Sequence, residues 1–120
     1  MKNLNPFLVE GEFVFASVDK HELKDLDGIP LLVFHESEGT TIIIEKSIAD
    51  QHEISYDSTW ALITLKVQSS LTTVGLLKTI TQKLGDNNIP VNVVSAVYHD
   101  HLFVPFEKAA LALKLLKELQ

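Results

Sequence analysis

The order of hydrophobic periodicities in the second half of the chain constrains the fold most. Apolar residues alternate over residues 60–67, recur at helical spacing over 73–84, and form further strands over 91–98 and 102–104. A final helix with a stripe of alanine and leucine is predicted over 107–119. The order is β-α-β-β-α, and a ferredoxin-like α+β unit needs one more strand after its last helix. We therefore expect an antiparallel sheet with helices on one face, completed by a strand from elsewhere in the chain.

The first half of the chain repeats this order in a shortened form. Strands are predicted over residues 13–18, 31–35 and 41–44, followed by a short helix over 46–52. The dipeptide Ile29-Pro30 opens this strand pair as Ile89-Pro90 opens the later one. The stretch that leads to it is half as long, 18–29 against 67–89, so it has room for only one or two helical turns. This pattern predicts an internal duplication.

The duplication gives a domain organisation. Residues 1–57 are predicted to be a degenerate half that completes the sheet, and residues 58–120 to be the intact domain. Within the first half, we expect residues 13–18 to replace the absent last strand. Within the second half, Gly85 is expected to end the first helix, and residues 99–101 to form a polar hairpin turn.

Composition excludes several classes of function. The chain of 120 residues has no cysteine, which removes thiol catalysis, CxxC redox chemistry and cysteine-based zinc sites. A net charge of -6 argues against nucleic-acid binding, because no basic surface is predicted to neutralise phosphates. The first residues lack the apolar core of a signal peptide, and no apolar run is long enough to span a bilayer. We expect a cytoplasmic globular protein with neither nucleic acid nor membrane as a partner.

Several motifs of the chain occur together in a known family. They are Ser69-Ser70-Leu71, Val74-Gly75-Leu76, Ile89, Asn92-Val93, residues 98–104, residues 11–15 and residues 38–41. In this combination the chain resembles the small bacterial ACT-domain proteins with a degenerate ACT-like segment at the N-terminus. The same subgroup is similar to domains of aspartate kinases and of animal cytosolic arginine sensors. The resemblance implies a regulatory domain that binds a small molecule, most typically an amino acid, at domain or subunit interfaces.

The connection between the first strand and first helix of the second half is the first candidate site. Hydroxyls and backbone N–H groups at a helix N-terminus suit a carboxylate, and a glycine lets a ligand approach closely. The alternative is structural: Ser70 or Thr72 caps the helix, and Gly75 allows tight packing of helix against sheet. The predicted ligand-binding residues are Ser69, Ser70, Leu71, Thr72, Val74, Gly75, Leu76, Asn92, Val93, His99 and Asp100.

The sequence His99-Asp100-His101 is the second candidate. Two imidazoles beside a carboxylate are compatible with a metal site, but zinc usually takes three or four protein ligands and no third lies nearby in sequence. A polar turn is therefore favoured over a metal site, and lining of a ligand pocket is intermediate. We expect neither a metal nor a cofactor.

Enzymatic chemistry is not indicated. The chain contains no G-x-S-x-G elbow and no glycine-rich phosphate loop. Two function classes remain: a non-catalytic regulatory sensor that binds an amino acid, and a protein–protein interaction module without a ligand. The leucines of the last helix span more than a narrow stripe, which favours a homodimer.

Overall fold

A computed structural model of the chain describes residues 4–67 and 74–120. The strands are β1 Pro6–Val18, β2 Leu32–His35, β3 Thr40–Glu45, β4 Trp60–Leu65, β5 Asn92–Ser95 and β6 Asp100–Pro105. The helices are α1 Lys20–Asp25, α2 Lys46–Gln51, α3 Leu76–Asp86 and α4 Ala109–Glu118, with a short 3₁₀ helix at Phe106–Lys108. Neighbouring strands are hydrogen-bonded in the order β2-β3-β1-β4-β6-β5. The pairs β1–β3, β2–β3, β4–β6 and β5–β6 are antiparallel. The predicted α+β fold with two ferredoxin-like halves is confirmed.

The chain divides into two compact units. The larger unit contains Met1–Glu10 and Trp60–Gln120, and the smaller unit contains Gly11–Thr59. The boundary falls inside β1, where Gly11 has a φ of 118°, a conformation that residues with a side chain rarely adopt. One strand therefore contributes its first part to the larger unit and its second part to the smaller unit.

The smaller unit is built on β3, which pairs with β1 on one side and β2 on the other. Its core comprises the buried residues Val14, Ala16, Val18, Leu26, Ile42, Ile44, Ala49 and Ile54. Helix α1 is only six residues long and is capped reciprocally by Asp19 and Glu22. The predicted shortening of this helix is confirmed, as is the short helix that follows β3.

In the larger unit, α3 and α4 pack on the same face of the sheet. Alternate residues of β4, namely Ala61, Ile63 and Leu65, face both helices and form a core with Leu102 and Val104 of β6. The helices contribute the buried residues Ile80, Leu84, Ala112, Leu115 and Leu116. Helices on one face are thus confirmed for this unit.

The strand that completes the larger unit is the first part of β1, not residues 13–18. Residues 13–18 pair with β3 of their own half, in the register Phe13 to Glu45 through Val18 to Thr40. Next to β4, the Lys66 N–H donates to the Asn5 carbonyl over 3.1 Å, and Leu4 is 1% exposed in the core of the larger unit. The sequence analysis missed this segment because Pro6 and Glu10 lower the strand propensity of residues 6–12.

Two predicted boundaries in the larger unit were wrong. Helix α3 continues through Gly85 to Asp86, and Asn88, with a φ of 59°, ends it instead. The Ile89 N–H donates to the Leu84 carbonyl and the Asn88 N–H to the Gly85 carbonyl, each over 3.0 Å. These bonds form a Schellman motif, in which asparagine replaces the more usual glycine.

The hairpin turn comes earlier than the sequence indicated. Strand β5 ends at Ser95, and the Ala96 N–H donates to the His99 carbonyl over 3.1 Å, so the turn occupies residues 96–99. Asp100 and His101 belong to β6. Their polar character suggested a turn, but both pair with β4 in the sheet.

Candidate functional site

One end of the larger unit brings two connections together. Strands β4 and β5 are both antiparallel to β6, so they run parallel to each other and finish at the same end of the sheet. The β4–α3 connection, residues 66–75, and the turn at residues 96–99 therefore share this end. Four of the predicted site residues, Ser69, Ser70, Leu71 and Thr72, lie in the connection but outside the described residues.

Gly75 is the residue that begins α3. It is the N-cap, with φ 96° and ψ -24°, and it makes no side-chain cap. Ser70 and Thr72, which the sequence suggested as caps, lie outside the described residues. A Cβ added at Gly75 would meet no atom of the described residues within 4 Å, and its positive φ is the conformation that favours a glycine. Val74 beside it is 94% exposed, and Leu76 is half-buried against the core.

Asp100 is an acidic residue at this end of the sheet. It is 7% exposed, pairs with Leu65 and Ser95, and lies on the face of β6 that packs against the helices. Asp100 therefore lies on the face of the sheet that α3 covers. The turn residues Val97 and Tyr98 are 70% and 71% exposed at the same end.

Asn92 and Val93 are placed differently. They begin β5, a few residues from the end that carries the β4–α3 connection. Val93 pairs with Leu102 and faces the helices, whereas Asn92 pairs with Phe103 and projects from the opposite face. The structure therefore does not bring Asn92 together with Gly75 within one chain.

His99 and His101 lie on the face opposite the helices. The His101 ring is 6.4 Å from the His99 ring, centroid to centroid, and its Nδ1 is 2.9 Å from the Thr64 hydroxyl. Among residues 4–67 and 74–120, no three histidine, aspartate or glutamate side chains come together as metal ligands. The sequence analysis overlooked Thr64, because it placed His101 in a turn rather than opposite Thr64 in paired strands.

The environment of His101 makes the free energy of unfolding depend on pH. Burial first, and then the charges of His99 and Lys66, lower the pKa of His101 from its usual 6.5, against the opposing effect of Asp100. The folded protein then binds this proton less readily than the unfolded chain does. The contribution of His101 to stability is complete at pH values above 6.5 and declines as pH falls through the lowered folded pKa.

We expect His101→Asn to remove part of this pH dependence, because asparagine can keep a hydrogen bond to Thr64 without titrating. Urea unfolding between about pH 7.5 and about pH 5.5 measures it. The wild-type protein should lose more stability over this range than the variant does. His52→Asn, at an exposed position of the smaller unit, is the control and should behave like wild type. Equal losses in wild type and His101→Asn would contradict the prediction.

Two ACT-domain family profiles match the chain, one over residues 1–61 and the other over residues 54–118. Each covers more than half of the sequence. The chain belongs to the ACT-domain family. The family resemblance stated from the sequence motifs is thus confirmed.

Solved structures agree with an ACT fold. A protein of unknown function from Vibrio cholerae, described as a possible transport protein, is 39% identical with a TM-score of 0.87, over 95% of this chain and 87% of that one. The ligand-free regulatory subunit of aspartate kinase from Thermus thermophilus is 11% identical with a TM-score of 0.72, over 98% and 97% of the two chains. Aspartokinase III from E. coli, in complex with aspartate and ADP, is 14% identical with a TM-score of 0.65, over 94% of this chain and 32% of that one.

No curated protein gives a significant match. ACT domains are regulatory and commonly bind amino acids, and those of aspartate kinase regulatory subunits are not catalytic. Within the described parts of this ACT chain, no helix has the length and apolar character required to cross a bilayer.

Proposed function

We propose that this chain is a non-catalytic regulatory module that binds a free amino acid at the end of the larger unit where α3 begins. The observation that carries the proposal is Gly75, which opens α3 in a left-handed conformation and, as the N-cap, has no side chain to cap the first turn. The first N–H groups of a helix have no partner within the helix, and the helix dipole favours an anion there. The carboxylate of an amino acid has the charge and the oxygen geometry for this position.

The charge at this end also suits an amino acid. The carboxylate of Asp100 lies on the helix-packed face at the same end and complements an ammonium group. A zwitterion thus meets a partial positive charge from α3 and a negative charge from β6. The exposed side chains of Val74, Val97 and Tyr98 offer apolar surface to the side chain of the ligand.

A homodimer is part of the proposal, because ACT domains often dimerise. Asn92 is exposed and β5 ends the strand order, so in a dimer this residue of one copy can contact a ligand held by the other. The predicted site residue His99 lies on the face opposite the helices, beside His101, and is therefore not part of this amino-acid site. Binding would then shift the equilibrium between oligomeric states. We further propose a cytoplasmic location, as for a sensor of free amino acids.

A protein–protein interaction module without a ligand is the second candidate. Strand β2 ends the order of strands on the side of the smaller unit, and its region exposes Leu31, Val33 and Phe34 by 56%, 41% and 63%. Exposed apolar edge strands recruit partners. In this alternative, no amino acid stabilises the protein.

Thermal unfolding in the presence of each of the twenty amino acids tests the proposal. At a concentration of about 100 times Kd, a ligand that binds only the folded state stabilises it by about 2.7 kcal/mol. We expect one amino acid, or a group of similar ones, to raise Tm by several degrees in a concentration-dependent way. No rise with any amino acid at millimolar concentration would favour the interaction module.

Asp100→Asn locates the site. The neutral amide removes the charge that meets the ammonium group, so we expect the ligand-induced rise in Tm to shrink or disappear, whatever the Tm of the free variant. Asp25→Asn makes the same change at an exposed position of the smaller unit and should leave the rise intact. A full rise in Asp100→Asn would place the ligand elsewhere.

A further inference from the structure

A polar row crosses the face of the larger unit that is turned away from α3 and α4. Ala61, Ile63 and Leu65 face the helices, so the intervening Thr64 faces the other way, opposite His101. The Thr64 hydroxyl and His101 Nδ1 are 2.9 Å apart. Thr64 is 6% exposed, whereas His101 is only half-buried, so part of the imidazole remains in contact with solvent.

Two further basic groups belong to this row. The His99 and His101 rings meet edge to face, with an interplanar angle of 79°. Lys66 places its ammonium nitrogen 5.0 Å from the centre of the Phe7 ring, which is 52% exposed. The charges of His99 and Lys66 both lower the pKa of His101, so both groups act on it electrostatically.

No acidic side chain shares this face within the described part of the row. His101 pairs with Thr64 of β4 and Val94 of β5 and meets the His99 ring, and the charge of Lys66, just after β4, acts on it. Asp100 belongs to the opposite face of β6, although its charge raises the pKa of His101 in part. The Lys66 ammonium group disfavours the protonated form of His101, and a bound anion would offset this repulsion.

The donors of the row suit oxygen atoms. A protonated His101 imidazole has two N–H donors. Its Nδ1–H donates to the Thr64 oxygen, which leaves its Nε2–H for another acceptor. The ammonium group of Lys66 supplies further donors, held beside the row by its contact with Phe7. Charge-assisted hydrogen bonds to an oxyanion are about twice as strong as neutral ones.

We propose that Lys66, His99 and His101, with Thr64 behind them, form a binding site for a small oxyanion of the phosphate or carboxylate type. This site is distinct from the amino-acid site at the start of α3, because it lies on the other face of the sheet. It does not depend on that proposed function. Binding strengthens as pH falls, since the His101 imidazole becomes cationic.

NMR titration of the imidazole signals tests the site without any amino acid present. The full-length protein is titrated in phosphate, in acetate and in chloride at equal ionic strength. We expect phosphate or acetate to raise the pKa of His101 by about 0.5 or more relative to chloride. The imidazole signals of His21 and His52, in the smaller unit, are the internal references and should not respond.

The variant Lys66→Met removes the charge and keeps most of the length of the side chain. We expect it to reduce the effect of the anion on His101 several-fold, while Lys20→Met, at an exposed position of the smaller unit, leaves it unchanged. The amide signals of β4 and β6 check that both variants remain folded. A response to phosphate alone assigns a phosphate site, and a response to acetate alone assigns a carboxylate site. Equal behaviour of His101 in all three salts, or an undiminished response in Lys66→Met, would overturn the proposal.

Discussion

Replacing Leu4 with alanine is expected to lower the free energy of unfolding by about 2–5 kcal/mol, the usual cost of removing a buried leucine side chain. Leu4 is 1% exposed and packs in the core of the larger unit with residues such as Ile63 and Leu116. A residue at the start of the chain thus stabilises a unit whose other elements begin at Trp60. Urea unfolding followed by the fluorescence of Trp60, the sole tryptophan, measures the loss.

The exposed neighbour Leu8 provides the matched control. It lies in β1, four residues after Leu4, and is 39% exposed, so Leu8→Ala should cost well under half as much as Leu4→Ala. If the two variants unfolded at similar urea concentrations, Leu4 would not belong to the core of the larger unit.

Substituting alanine at Gly75 and at Gly85 is expected to change stability in opposite directions. Gly75 has a φ of 96°, so Gly75→Ala should cost about 1–2 kcal/mol although the added methyl group meets no atom within 4 Å. Gly85 lies within α3, where Gly85→Ala should contribute about 0.5–1 kcal/mol of stability. Thermal unfolding of both variants gives the comparison.

This pair also tests the start of α3. If Gly75→Ala stabilised the protein as Gly85→Ala does, the helix would extend through Gly75, and the uncapped first turn on which the amino-acid site rests would not exist. A loss at both positions would instead mean that Gly85 is needed for packing, although no atom lies within 4 Å of its added Cβ.

Element types and their order were predictable because they depend on local periodicity. Alternation in β4 and the helical spacing of Ile80 and Leu84 are properties of short segments, and both gave the observed elements. The boundaries were less predictable. Gly85 suggested a helix end that Asn88 provides, because both residue types tolerate the left-handed conformation that a helix end requires.

Long-range pairing was not predictable from the same signals. In residues 6–10, Phe7 and Val9 favour a strand and Pro6 and Glu10 do not, and no local signal shows that the segment lies beside β4, next to the buried Leu4. The same limit applies to the candidate sites. The proximity of Thr64 and His101 depends on the register of β4 with β6, and a shift of that register by one residue would place them on opposite faces.

The hydrogen bond from the Asn5 N–H to the Gln120 side chain, 2.9 Å long, has a consequence for protein engineering. It places the start of β1 beside the end of α4, a geometry that favours circular permutation. A permutant joined there by a short linker and opened between Glu10 and Gly11 would read residues 11–59 and then 60–120 followed by 4–10. Each unit would then be continuous in sequence, and the larger one would have the complete β-α-β-β-α-β order.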